Sequence, residues 1–179
     1  MDLVDRLLAV HRSLDDASLP HAFGGALALA WCTHEVRATI DLDVNVFVAI
    51  DRATEVLDAL PDGVERTGAD LELLARDGQV RVWWERTPVD LFLNTTDFHA
   101  QVATRARTEP FAGDTLPFLA CSDLAVFKAF FDRTKDWADL EAMVAAGSLD
   151  AAAVLGTLVL YLGGDDPRVA RLRGLVARI

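Results

Sequence analysis

With 179 residues, 52% of them hydrophobic and 25% charged, the chain is long enough to bury a substantial core and too apolar for general disorder. Its 28 acidic residues against 17 basic ones leave a formal net charge of -11, which argues against a broad basic nucleic-acid surface. Cationic substrates, basic protein partners, or a nucleic acid held on a local patch remain open.

Cys32 and Cys121 have neither CxxC nor Cys/His spacing and read as reduced, partly buried thiols of a cytosolic protein. "MDLVDRLLAV" lacks the basic start and long apolar core of a signal peptide, and the longest apolar runs, 22–32 and 151–162, fall short of a bilayer span. The expectation is a soluble, cytoplasmic protein with no membrane partner.

In chain order, Leu3, Val4, Leu7, Leu8 and Leu14 recur at helical spacing and predict an amphipathic helix over 2–16. "HAFGG" reads as a short strand entering a glycine turn, followed by a helix from Ala26 to about Thr33. Ile40 to Val48 reads as a strand. Asp51 is a plausible N-cap for a helix through Leu60, which "PDG" ends. Residues 64–76 are ambiguous; "QVRVWWE" and "PVDLFLN" then read as two strands joined at Arg86 to Pro88. From Ser122, a candidate cap, the chain turns helical, with Gly147 stopping one helix and two more following. An α/β core over 1–115 and a helical C-terminal subdomain over 116–179 are expected, with a soft boundary near Gly113 to Pro117.

The chemistry centres on "RATIDLDVNVFV". In a strand, residues two apart project from one face, so Asp41 and Asp43 point one way and the aliphatic side chains the other. Two readings are open: a solvated polar stripe continued by Asn45, or metal ligands. Asp90, alone among apolar residues in "PVDLFL", could add a third carboxylate, and three on adjacent strands could hold two divalent cations for phosphoryl or nucleotidyl transfer. Gly24 and Gly25 are either a tight turn or a place where backbone N–H groups meet an anion at a helix N-terminus. "FKAFFDRTKDWADL" holds Lys128, Arg133, Lys135, Asp136 and Asp139, read either as a solvated face with a Lys135–Asp139 pair or as a phosphate-binding group. The only two lysines of a chain with 15 arginines lie there. His11, His21, His34 and His99 show no ligand spacing, and Trp83 and Trp84 read as sheet packing, with an exposed indole a possible stacking surface.

Taken together, "GGALALAWCTHEVRATIDLDVNVFV", "PVDLFL" and "LACSDLAVFKAFFDRTKDWADLEAM" resemble the AbiEii-type nucleotidyltransferase toxins of type IV toxin–antitoxin systems, within the DNA polymerase β-like superfamily, over roughly residues 21–145. The resemblance implies an α+β nucleotidyltransferase fold, a small mixed sheet flanked by helices and followed by a helical bundle. It implies a transferase that moves an NMP from an NTP to a hydroxyl with Mg2+ or Mn2+. Asp41, Asp43 and Asp90 would be the metal ligands, Asp90 also accepting a proton, and Lys128 would join them in catalysis. Gly24, Gly25, Arg37, Thr39, Lys128, Arg133, Lys135 and Asp136 would bind the nucleotide. The acceptor would be RNA such as tRNA, or protein, and a cognate antitoxin would be the partner.

Two rivals stand beside this reading. An antibiotic nucleotidyltransferase carries a similar glycine turn and Arg-led DxD, and a net charge of -11 suits a polycationic aminoglycoside. A non-catalytic binding module of the same fold is the other. The C-terminal "RVARLRGLVARI" reads as a basic amphipathic helix that packs, with contact to a polyanionic acceptor as the alternative.

Overall fold

The leucine spacing at the start of the chain gives α1 (Leu3–Asp16), which buries Leu7, Val10 and Leu14 and is closed by a capping box between Asp2 and Asp5. The computed structural model describes residues 1–178. After α1 come β1 (His21–Phe23), α2 (Gly25–Thr33), β2 (Leu42–Ala49), a 3-10 turn (Ile50–Arg52), α3 (Ala53–Asp58), β3 (Val64–Glu65), α4 (Gly68–Asp77), β4 (Gln79–Trp84) and β5 (Thr87–Asn94). Then follow α5 (Asp97–Ala103), β6 (Arg107–Phe111), β7 (Asp114–Phe118), α6 (Cys121–Phe131), α7 (Thr134–Ala145), α8 (Ala151–Leu162) and α9 (Pro167–Val176). The chain forms two compact units, one of Met1–Gly25 with Ala38–Leu119, the other of Ala26–Arg37 with the segment from Ala120 onward.

The first unit contains a seven-stranded mixed sheet in the order β3-β4-β5-β2-β1-β7-β6. The parallel pairs are β2 with β5 and β1 with β7; the other neighbours run antiparallel. Leu42, Val44, Val46, Val80, Val82, Val89, Leu91 and Leu93 alternate onto one buried face, on which α4 and α5 pack against β2, β4 and β5. Each such aliphatic side chain contributes about 1.5–3 kcal/mol on burial. Arg6 ties α1 to the β4–β5 hairpin, donating to Thr87 Oγ1 and pairing with Glu85, with its guanidinium over the Trp84 ring. The segment 64–76 resolves into β3 and α4, the latter started by a Thr67/Asp70 capping box and ended by Gly78 at φ +69°.

Three local expectations are corrected here. The carboxylate strand begins at Leu42, not Ile40: Asp41 N–H donates to Thr39 Oγ1 at 3.1 Å, a local bond that ends the extended run, and Ile40 is exposed. Asp51 is no N-cap, because it lies inside the 3-10 turn; α3 starts after Arg52, which binds Glu55 instead. The β4–β5 turn is Glu85–Arg86, one residue earlier than expected, with Glu85 at φ +55°.

The second unit is helical. Leu124, Ala125, Ala129, Leu140, Met143, Val154, Leu158, Val169 and Leu172 form its core. Ser122 does not cap α6: the helix starts one residue earlier, and Ser122 Oγ accepts from Asp150 N at 2.9 Å. The expected reduced thiols are also corrected. Cys32, in the last turn of α2, and Cys121, first in α6, are joined by a disulfide with their Cα atoms 5.6 Å apart. A separation of 89 residues carried no hint of that closeness. The basic C-terminal stretch packs as α9 through Val169, Leu172 and Leu175; Ile179, its last residue, lies outside the described residues. No described helix is long and apolar enough to cross a membrane.

Candidate functional site

Strand register assembles the acidic face. Asp43 on β2 lies directly beside Asp90 on β5, and Arg81 on β4 lies directly opposite Asp90. Paired strand positions project to the same side of a sheet, so Asp43, Asp90 and Arg81 share one face, with Asp41 just ahead of β2 on the same side. All three carboxylates are partly exposed while Leu42, Val44, Val89 and Leu91 beneath them are buried. The desolvation that makes buried acids costly is thereby avoided.

Arg81 grips this face. Its Nε donates to Asp90 Oδ1 and its Nη2 to Asp90 Oδ2, both at 2.7 Å, a two-bond fork; Nη2 also stands 3.7 Å from Asp41 Oδ2. The hydrogen bonds to Asp90, reinforced by the charges of Asp90, Asp41 and Asp43, hold the guanidinium charged even more firmly than an ordinary arginine.

The glycine pair adjoins Asp43. Gly24 N–H donates to the Asp43 backbone carbonyl at 2.8 Å, and Gly25, the first residue of α2, has φ +55°. A Cβ on Gly25 would collide with the Asp43 carboxylate, whereas one on Gly24 would stand 3.1 Å from Asn45 Nδ2 and 3.2 Å from Leu119 Cδ1. Only glycine lets the backbone run this close to the acid.

Three partly exposed carboxylates on one face are the right donors for a hard divalent cation, and a cation, the Arg81 guanidinium, is already drawn to them. As they lie, no three His, Cys, Asp or Glu side chains among the described residues are grouped to hold a metal. The donors therefore suit a divalent cation in chemistry and share one face, but they are not drawn together to hold one, and Asp90 is engaged by Arg81.

Within the helical unit the expected nucleotide-binding charges meet one another. Lys128, only 7% exposed, donates through Nζ to Asp139 Oδ2 at 2.7 Å and stands 3.8 Å from Asp136 Oδ1. Arg37 pairs with the other Asp139 oxygen, and Arg133 forks Asp136 with bonds of 2.6 and 3.1 Å. Asp136 and Asp139 are buried, so this network satisfies charges that would otherwise be costly. The expected Lys135–Asp139 pair does not form: Asp139 is taken by Lys128 and Arg37, and Lys135 is exposed without an ion pair among the described residues. Thr39, in the first unit, serves as the acceptor for Asp41 N–H.

One feature of the acidic face, Arg81, was not legible in the sequence, and the open choice between packed and exposed indoles is decided by strand alternation. Arg81 was passed over because its partner depends on hairpin register; with the turn placed at Glu85–Arg86, counting outward from Trp84–Thr87 brings Arg81 opposite Asp90. Trp83 shares the outward side of β4 with Arg81 and is 45% exposed, unlike the buried Trp84, so only one of the two indoles is core.

No family model matches the chain, and no curated protein sequence does. Among solved structures the chain is similar to ANT(2")-Ia in complex with adenylyl-2"-tobramycin, at 14% identity over 96% of this chain and 97% of that one, with a TM-score of 0.59. The solution structure of the antibiotic-resistance factor ANT(2'')-Ia gives 14% identity over 98% and 89%, TM-score 0.53. An antigenic nucleotidyltransferase-like protein from Paracoccidioides brasiliensis gives 16% identity over 93% and 90%, TM-score 0.50. The expected α+β nucleotidyltransferase fold, a mixed sheet with flanking helices, is the fold of this chain.

Proposed function

We propose that the protein is a metal-dependent nucleotidyltransferase that transfers a nucleoside monophosphate from an NTP to a hydroxyl acceptor: a bond forms between the acceptor oxygen and the α-phosphorus, and pyrophosphate leaves. The observation that carries this reading is the shared face of Asp41, Asp43 and Asp90 beside the Gly24–Gly25 turn. Asp41, Asp43 and Asp90 would hold Mg2+ or Mn2+, which when bound supplies charge neutralisation at the triphosphate and acidifies the acceptor hydroxyl. Asp90 would also accept the proton from that hydroxyl. Gly24 and Gly25 keep side chains away from Asp43, leaving backbone to face a phosphate. Lys128, Arg37, Arg133 and Asp136 act mainly by holding one another in position, while Lys135 keeps an unpaired charge for an anionic group.

For the acceptor, the net charge of -11 and the likeness in fold to ANT(2")-Ia, solved with adenylyl-2"-tobramycin, support a polycationic hydroxyl compound of the aminoglycoside kind. A second reading, an AbiEii-like toxin acting on tRNA or protein and restrained by an antitoxin, is favoured by the "RTKDWADL" run. That run is equally explained by the buried ion network it forms.

Incubation with Mg2+, each labelled NTP and either tobramycin or total tRNA separates these. Label on tobramycin, lost in a folded Asp43→Asn variant, is the expected result. Label on tRNA alone moves the assignment to the toxin-like enzyme, and no transfer to either leaves a binding module and overturns the proposal.

A further inference from the structure

We propose that Arg81 is a built-in counter-cation of the acidic face, occupying Asp90 in the metal-free protein and yielding it when a divalent cation binds. This rests on reading Asp41, Asp43 and Asp90 as the metal-holding set.

Arg81 is set apart from an ordinary surface ion pair by three observations. Both Asp90 oxygens accept from the fork at 2.7 Å, so one lone pair on each oxygen is committed to the guanidinium. Asp90's side chain is only 17% exposed, so water screens the pair less than it would at an open surface. The same Nη2 lies 3.7 Å from Asp41, and Asp43 adds attraction, so one guanidinium answers three acids. A divalent cation centred among those acids would compete for the same charge.

Exchange is sterically open. Arg81 lies on the outward side of β4 with its side chain 47% exposed, and its ion pairs among the described residues are to Asp90 and Asp41 alone. Its aliphatic stem can swing the guanidinium off the face into water, or onto the phosphate of an incoming nucleotide, without moving the strand. The device has a chemical use: in the absence of metal, three carboxylates on adjacent positions repel one another, and an internal cation relieves that repulsion while keeping Asp90 oriented. The cost falls on metal affinity, which is lowered until the guanidinium leaves.

The test is Mn2+ binding without nucleotide, followed by calorimetry and by the EPR signal of free Mn2+, in the wild type, Arg81→Gln, Arg81→Lys and Asp43→Asn. Removing the competitor and its positive charge should tighten Mn2+ binding about tenfold in Arg81→Gln. Arg81→Lys, whose single ammonium cannot fork Asp90, should fall between that variant and the wild type. The melting temperature of Arg81→Gln should be lower than wild type without metal and rise further on adding Mg2+. Wild-type binding that is lost in Asp43→Asn but unchanged or weakened in Arg81→Gln would overturn the exchange and leave the metal reading standing. No Mn2+ binding by either wild type or Arg81→Gln would overturn both.

Discussion

At Gly25 one hydrogen atom decides whether Asp43 can keep its place. The residue has φ +55°, where an L side chain costs about 1–2 kcal/mol, and its Cβ would collide with the carboxylate. Gly25→Ala should therefore lower stability by at least that amount and displace Asp43, cutting transfer more than tenfold. Gly24→Ala meets Asn45 Nδ2 at 3.1 Å and Leu119 Cδ1 at 3.2 Å, both ends of side chains that can yield, so its loss of activity should be clearly smaller. Urea melts and initial rates of the two variants check the contrast; equal effects would mean the acid does not depend on the turn. At this scale the sequence was legible where a period was enough. Spacing of two told which way Asp43 and its aliphatic neighbours point, because a strand permits no other arrangement. It was silent on Arg81, whose role exists only across a hairpin, and misleading at Asp51 and Ser122. Both are good N-cap residue types, but Asp51 falls within a 3-10 turn and the Ser122 hydroxyl is used by Asp150.

Among the elements, those with a strong apolar period were readable: α1, β2, β4, β5 and the helices after Cys121 lie close to where the pattern put them. The β6–β7 hairpin was not. "RTEPF" buries none of its five residues fully, "DTLPF" buries only Leu116 and Phe118, and each contains a proline, so the alternation is too short to stand out; β7 is recruited through its parallel pairing with β1 at Phe23–Phe118. The disulfide was invisible for a related reason, since pairing is decided by which turns of α2 and α6 come together. Closing so long a loop removes freedom mainly from the unfolded chain, so reduction should cost about 2–4 kcal/mol. The expected result is a lower urea midpoint with reductant, matched by Cys32→Ser/Cys121→Ser in either condition. A wild type insensitive to reductant would mean the bond is not formed in solution.

Over the whole molecule, under the proposed function, the net charge of -11 would act on an acceptor before any side chain touches it. A polycation would be drawn in and an NTP held off, and raising salt from about 0.1 to about 1 M, which shortens the Debye length from roughly 10 to roughly 3 Å, should weaken both effects. For a polycationic acceptor, KM should rise several-fold with salt while KM for the NTP stays level or falls; such opposite signs separate steering from general inhibition by salt. A tRNA acceptor has to overcome the same field and needs a local basic patch, for which α9 is the candidate. Its charges are partly committed: Arg168 forks Asp166, and Arg171 lies 4.2 Å over the Trp137 ring and 3.9 Å from Asp132. Among the described residues Arg173 approaches the Gly164 carbonyl, at 3.5 Å. Arg171→Gln/Arg173→Gln should consequently leave transfer to an aminoglycoside and its salt profile intact. If the double variant instead abolishes transfer and flattens the salt dependence, the field that matters is the basic helix and the acceptor is a polyanion.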